Sequence, residues 1–62
     1  ISRERFQALE TLNSLLEMVS GAAVLPFIDQ IMRRLRPALD DKKAAVREIT
    51  VKCLNRLHFH QI

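Results

Sequence analysis

The chain has 62 residues, enough for one small domain and too few for a large buried core. Hydrophobic residues make up 48% of it and charged residues 27%, a balance typical of folded chains. The single cysteine excludes an internal disulfide, and no apolar run approaches the roughly 20 residues that a membrane-spanning helix needs. Because the first residue is Ile1 and not methionine, we expect the chain to be a piece of a longer protein.

A first helix is predicted over about residues 3–19, because apolar residues recur there at steps of three and four. Polar side chains such as Glu10 and Glu17 fill the opposite side. We expect the helix to end at Ser20 and Gly21, with the glycine in the left-handed conformation that costs it no strain. The apolar stripe comprises Phe6, Ala8, Leu9, Leu12, Leu15, Leu16 and Val19.

A second helix is predicted over about residues 24–39, with Pro26 in the first turn, where no backbone N–H is needed. Pro37 removes the hydrogen bond to the carbonyl of Arg33, so we expect the last turn to kink. The apolar stripe of this helix comprises Ile28, Ile31, Met32, Leu35, Ala38 and Leu39.

A third helix is predicted over about residues 42–58, after a short turn that contains Asp40 and Asp41. Residues 58–62 are predicted to form a tail. The apolar stripe of the third helix comprises Val46, Ile49, Thr50, Cys53, Leu54 and Leu57.

The first and third predicted helices resemble each other at a constant offset along the sequence. That offset, about 42 residues, lies within the period of about 40–47 that is typical of HEAT and armadillo arrays, in which helical units stack side by side. Two helices per period, joined by very short turns, favour the HEAT type. The identical pairs are Leu12 with Leu54, Asn13 with Asn55, Leu15 with Leu57, and Arg5 with Arg47.

The residues around the second turn also resemble a HEAT repeat. In that family an apolar first helix, often with a proline, precedes an aspartate in the turn and a Val–Arg pair in the second helix. The resemblance implies an all-α fold, an α-solenoid fragment of about one and a half HEAT-type hairpins. The corresponding residues here are Pro37, Asp41, Val46 and Arg47.

The same resemblance divides the single unit of residues 1–62 into parts. It makes residues 25–57 one complete repeat and residues 3–19 the second helix of the preceding repeat. In the family, the aspartate and the arginine form hydrogen-bonded ladders between successive repeats. The resemblance therefore gives Asp41 and Arg47 the role of inter-repeat structural ties.

A narrower resemblance concerns the C-terminal repeat of HEAT scaffolds that belong to the cytosolic iron–sulfur cluster targeting complex. It implies an adaptor that binds the other subunits of that complex and directs cluster delivery to client proteins in DNA repair and transcription. It also implies a location in the cytoplasm, the nucleus or both. The residues that carry it are Leu25-Pro26-Phe27, Gln30-Ile31-Met32-Arg33, Leu39-Asp40-Asp41-Lys42-Lys43 and Val46-Arg47.

Catalytic and metal-binding motifs are not evident in the sequence. Gly21 is the one glycine, so there is no Gly-rich phosphate loop, and we expect neither enzymatic activity nor a cofactor. Cys53, His58 and His60 are residue types that bind metals. On a helix, however, residues 58 and 60 point about 200° apart, so we expect no metal site.

The candidate partner-binding residues are basic or polar and are expected to face solvent. Eight of the ten basic residues lie between Arg33 and Arg56. Such residues usually form the solvated faces of amphipathic helices, and they would also suit an acidic protein surface or another polyanion as the partner. Two alternatives remain: a generic HEAT or armadillo scaffold in transport, microtubule or chromatin function, and a small basic nucleic-acid-binding module. The candidate residues are Arg33, Arg34, Arg36, Lys42, Lys43, Lys52, Asn55 and Arg56.

Overall fold

The computed structural model describes the backbone of residues 2–61 and the side chains of residues 3–60. Over those residues the regular structure is entirely helical, as predicted, and none of these helices is both long and apolar enough to cross a membrane. Two 3₁₀ turns, Leu25–Phe27 and Arg36–Asp40, lie on either side of the α-helix Ile28–Leu35. The α-helices are α1 (Ser2–Met18), α2 (Gly21–Val24), α3 (Ile28–Leu35) and α4 (Ala44–Gln61).

The chain turns between α1 and α2 at Ser20, whose backbone is extended, with φ −67° and ψ 148°. Its side-chain oxygen accepts a hydrogen bond from the Ala23 N–H at 3.3 Å and so caps α2. Gly21 is therefore the first residue of α2 and has no left-handed backbone, so the predicted left-handed glycine is wrong, although α1 ends at Met18, within one residue of the predicted end. The lack of a side chain at Gly21 instead leaves room for His60, because a Cβ at this position would lie 3.2 Å from Nδ1 of His60.

Helical conformation continues from residue 21 to residue 40 in four short segments, where one helix over about residues 24–39 was predicted. Each 3₁₀ turn has a proline near its start, Pro26 in the first and Pro37 in the second. Proline has no N–H for the α-helical bond to the residue four positions earlier, which explains both interruptions. At Pro37 the predicted kink takes the form of a change from α to 3₁₀ after Leu35.

The last helix begins and ends later than the prediction of residues 42–58. Its start is delayed because Oδ1 of Asp41 accepts the Lys43 N–H at 2.9 Å, which holds the preceding residues in a turn. Residues 58–61 are helical, so the predicted tail is wrong for them, and Ile62 lies outside the described residues. The imidazole of His60, 3.3 Å from the Leu16 carbonyl, holds this last turn against α1.

α1 and α4 lie side by side and run in the same direction. Three contacts along the pair join residues that are 44, 43 and 44 positions apart in sequence. A constant separation marks a parallel pair, since the separation would change steadily along an antiparallel one. The two helices are therefore related as stacked neighbours, at a separation close to the offset of the sequence match. The contacts are Cys53 with the Leu9 carbonyl, Arg56 with Asn13, and His60 with the Leu16 carbonyl.

The core lies where the residue 21–40 run packs against α4 and the C-terminal half of α1. Leu57 and Cys53 are fully buried, and so is Thr50, whose hydroxyl donates to the Val46 carbonyl at 2.6 Å. No buried side-chain N or O atom among residues 3–60 lacks a hydrogen-bond partner. The buried cluster comprises Leu16, Val24, Ile28, Met32, Leu35, Cys53 and Leu57.

We expect the thiol of Cys53 to be protected from reagents in the folded chain. Burial raises the pKa of this thiol, and the positive charge of Arg56 only partly opposes that effect. Because the thiolate is the reactive form, a disulfide reagent should modify the native chain far more slowly than the urea-unfolded chain at the same pH, about 8. The released chromophore measures both rates, and equal rates would contradict the burial of Cys53.

Candidate functional site

Asp41, in the turn before α4, accepts hydrogen bonds from side chains of both α1 and α4. Its carboxylate accepts Nε of Arg5 at 2.7 Å and Nη2 of Arg5 at 3.4 Å, and it also accepts the Lys43 N–H. Its backbone carbonyl accepts Nη1 of Arg47 at 2.7 Å. The Arg5 guanidinium first, and the Lys43 hydrogen bond second, hold the pKa of Asp41 below its usual range. The side chain is only 9% exposed.

Arg5 and Arg47 occupy equivalent positions in α1 and α4 but bind different groups of Asp41. Arg5 crosses from α1 to the next turn, whereas Arg47 binds the turn of its own hairpin. Arg47 uses Nη1, so its Nε and Nη2 are not the atoms that bind Asp41. Arg47 could link successive repeats only if the turn of a further repeat lay beside it. The predicted role of Asp41 and Arg47 as inter-repeat ties therefore stays a prediction.

A second polar link joins α1 and α4 near their C-terminal ends. Nε of Arg56 donates to Oδ1 of Asn13 at 2.9 Å, and Nη2 of Arg56 forms an ion pair with Glu17. Arg56 was predicted to be available to a partner, yet it is half-buried and holds two α1 side chains. Asn13 and Glu17 were not predicted as site residues, although the match of Asn13 with Asn55 placed it in the repeat.

The other candidate residues are exposed but lie in three separate places. Arg33 and Arg34 are on α3, and Arg36 opens the second 3₁₀ turn. Lys42 and Lys43 are in the turn before α4. The basic candidates therefore belong to three different segments of the chain, and their role in binding stays a prediction. The remaining two candidates, Lys52 and Asn55, are on α4.

Two surface cavities lie along the line where α1 meets α4 and the residues just before α4, one near each end; this surface is here called the inter-helix groove. The C-terminal cavity measures ≈ 440 Å³ and the N-terminal cavity ≈ 230 Å³. Phe59, at 74% exposed, forms an apolar wall of the larger one. The C-terminal cavity is lined by Leu16, Glu17, Asn55, Arg56, Phe59 and His60. The N-terminal cavity is lined by Arg3, Phe6, Lys43, Ala45 and Val46.

The three metal-capable residues of α4 do not form a site. Cys53 contacts the Leu9 carbonyl at 3.5 Å, and His60 contacts the Leu16 carbonyl, while His58 is exposed. Within residues 3–60 no three His, Cys, Asp or Glu side chains are grouped so that they could hold a metal ion.

Both α1 and α4 expose an apolar side chain on a side that does not face the other helix. Leu15 of α1 is 50% exposed, although Leu57, its equivalent on α4, is fully buried. Val51 of α4 is 45% exposed and lies roughly opposite Cys53, the side that α1 covers. α1 and α4 therefore each expose an apolar side chain that no described residue covers fully.

Comparison with curated proteins and with solved structures gives no significant match. A family model described as HEAT-like repeat matches residues 2–57, which include α1, the run from residue 21 to residue 40 and most of α4. The match agrees with the parallel packing of α1 on α4 at a nearly constant separation. This chain belongs to the HEAT-like repeat family.

Proposed function

We propose that the chain is a non-catalytic scaffold for protein–protein interaction, as repeats of this family generally are. In this proposal residues 25–57 are one complete repeat, and α1 is the second helix of another. The observation that carries it is the parallel stacking of α1 and α4, which leaves apolar surface exposed at Leu15 and Val51. A repeat of this kind buries its apolar faces against neighbours, in the same chain or in a partner.

The inter-helix groove is the candidate surface for a partner. Protein interfaces combine a central apolar anchor with a polar rim, and the C-terminal cavity pairs Leu16 and Phe59 with Asn55 and Arg56. The α3 arginines, Arg33 and Arg34, line neither of the two cavities. We therefore assign the groove, and not the α3 arginines, as the binding surface.

Within this role, we propose that the partners are subunits of the cytosolic iron–sulfur targeting complex, with clients in DNA repair and transcription. The support is the resemblance of the two turns and the helix between them to the C-terminal repeat of that scaffold. The corresponding location is the cytoplasm, the nucleus or both. A generic HEAT scaffold with other partners is the alternative.

Titration of the immobilised chain with purified iron–sulfur targeting subunits tests this proposal. We expect binding that Phe59→Ala weakens by about tenfold, the usual effect of removing a central apolar anchor. The double variant Arg33→Glu/Arg34→Glu serves as the control and should bind within about twofold of the parent chain.

Three outcomes would contradict parts of the proposal. No binding of these subunits would remove the iron–sulfur role. A larger loss for the α3 double variant than for Phe59→Ala would move the binding surface to α3. Binding of duplex or single-stranded DNA that falls steeply between two salt concentrations would favour the nucleic-acid-binding alternative, because phosphate contacts release counterions.

A further inference from the structure

We propose that the inter-helix groove binds one amphipathic helix of a partner protein in a single orientation. The partner helix carries two apolar anchors, one for each cavity, and an acidic residue beside the anchor that enters the N-terminal cavity. This inference rests on the proposed function and adds the chemistry and the direction of the partner.

The spacing of the two cavities sets the spacing of the anchors. On α1 the lining residues are Arg3 and Phe6 at one end and Leu16 and Glu17 at the other. These pairs are centred about twelve residues apart, and the lining residues in and just before α4 are centred about thirteen apart, so the cavities lie roughly 18–19 Å apart. In a partner helix, residues about eleven positions apart lie on the same face and span about 16.5 Å.

The walls of the groove favour a helix over an extended strand. Both walls are helices, whose backbone groups already form hydrogen bonds within the helix, so they offer no strand edge to an extended peptide. A helix satisfies its own backbone and needs only side-chain contacts. By the helical period, Glu10 and Lys52 lie along the middle of the groove, so the middle of the partner helix is polar.

The charges at the two cavities give the direction. At the N-terminal cavity, Arg3 and Lys43 flank an apolar surface that includes Phe6, and neither basic side chain forms an ion pair with another residue of the part described. At the C-terminal cavity, Arg56 is already paired with Glu17. Unbalanced positive charge therefore lies at one end, and complementary charges favour a carboxylate there.

Fluorescence anisotropy of synthetic helices with the full chain tests the inference. The probe is an alanine-rich peptide of about 20 residues with leucine and phenylalanine anchors about eleven positions apart and glutamates beside the leucine, because the N-terminal cavity is the smaller of the two. We expect it to bind about tenfold more tightly than one with the glutamates beside the phenylalanine, or one with anchors about seven positions apart. Equal binding of the three peptides, or binding of none, would overturn the inference.

Two substitutions in the chain test the charge assignment. Lys43→Glu should weaken the binding of the probe by about tenfold. The same variant should bind a second probe, with lysines in place of the glutamates, more tightly than the parent chain does. Arg3→Glu should act in the same direction, and Arg33→Glu on α3 is the matched control that leaves binding unchanged. Circular dichroism of each variant establishes that it is folded. A Lys43→Glu chain that is folded and binds the original probe as well as the parent does would overturn the assignment.

The inference and the proposed function fail in different ways. Suppose that the targeting subunits bind and that Phe59→Ala weakens their binding, while the chain binds all the synthetic helices equally. The one-helix inference is then wrong and the scaffold role stands. If the peptides behave as expected and the subunits do not bind, the groove is a helix-binding site that serves other partners.

Discussion

Leu57→Ala should remove most of the helical signal of the chain at 25 °C, whereas Leu15→Ala should leave most of it in place. The two leucines occupy equivalent positions in α4 and α1, but Leu57 is 0% exposed and Leu15 is 50% exposed. Truncating a fully buried leucine costs about 2–5 kcal/mol, because a cavity remains as well as lost apolar burial. In a chain of this length a single core rarely supplies more than about 3–5 kcal/mol, so this loss removes most of the stability.

Leu15→Ala is the matched control because it removes the same atoms from the same helical position. Its side chain is already half in water, so we expect a loss of about 1 kcal/mol or less. Urea unfolding followed by circular dichroism, repeated at several chain concentrations to detect association, measures both changes. Equal losses would contradict the different burial of the two positions.

The comparison of Leu15 with Leu57 also shows what a repeat register can and cannot predict. The apolar period predicted the existence of the helices, and the constant offset between matching residues predicted that α1 and α4 are equivalent. Both follow from local patterns, and the all-α fold is confirmed. Burial is not local: α3 covers one leucine, and no residue of the described chain covers the other to the same degree.

Polar contacts decide how α2 begins and where α4 ends. α1 ends within one residue of its predicted end, but no left-handed glycine follows it. The hydroxyl of Ser20 caps α2 instead. At the other end, no stop signal follows residue 58, and the contact between His60 and the Leu16 carbonyl supports a further turn. That carbonyl is 44 residues away in sequence, so no local pattern contains it.

The sequence indicated residue types for the candidate site but not which side chains contact each other. Asp41 and Arg47 do lie together, yet the side chain that binds the Asp41 carboxylate is Arg5, the equivalent of Arg47 on the other helix. The register identified that equivalence without showing which arginine reaches which oxygen. Helical position alone predicted that Arg56 is available to a partner, but Asn13 and Glu17 of α1 bind it.

Asp41→Ala should lower the melting temperature of the chain clearly, and Asp40→Ala should hardly change it. Asp41 accepts hydrogen bonds from the Arg5 side chain and the Lys43 backbone, and it links α1 to the start of α4. Asp40 is the neighbouring carboxylate in the same turn, is exposed, and forms no ion pair within the described part of the chain. Thermal melts at pH 7 compare the two variants.

A double-mutant cycle separates the Arg5 contact from the Lys43 contact. If the Arg5–Asp41 pair contributes as the geometry indicates, Arg5→Ala should cause a smaller loss in the Asp41→Ala background than in the parent chain. The loss that remains in the Asp41→Ala chain then belongs to other contacts of Arg5. Strictly additive effects would mean that the pair forms no net stabilising interaction.

The same pair should make the stability of the chain depend on pH in the acid range. Because Arg5 and the Lys43 N–H lower the pKa of Asp41 in the folded chain, the unfolded chain binds more protons as the pH falls. The contribution of Asp41 is therefore complete above the pKa of an unfolded aspartate, about 3.9, and is lost as the pH falls through the lower value of the folded chain. Melting temperatures between about pH 6 and 2 should fall more steeply for the parent chain than for Asp41→Asn, and the Asp40→Asn chain should follow the parent. Parallel curves for the parent and Asp41→Asn would show that the carboxylate charge of Asp41 does not stabilise the link between α1 and the turn.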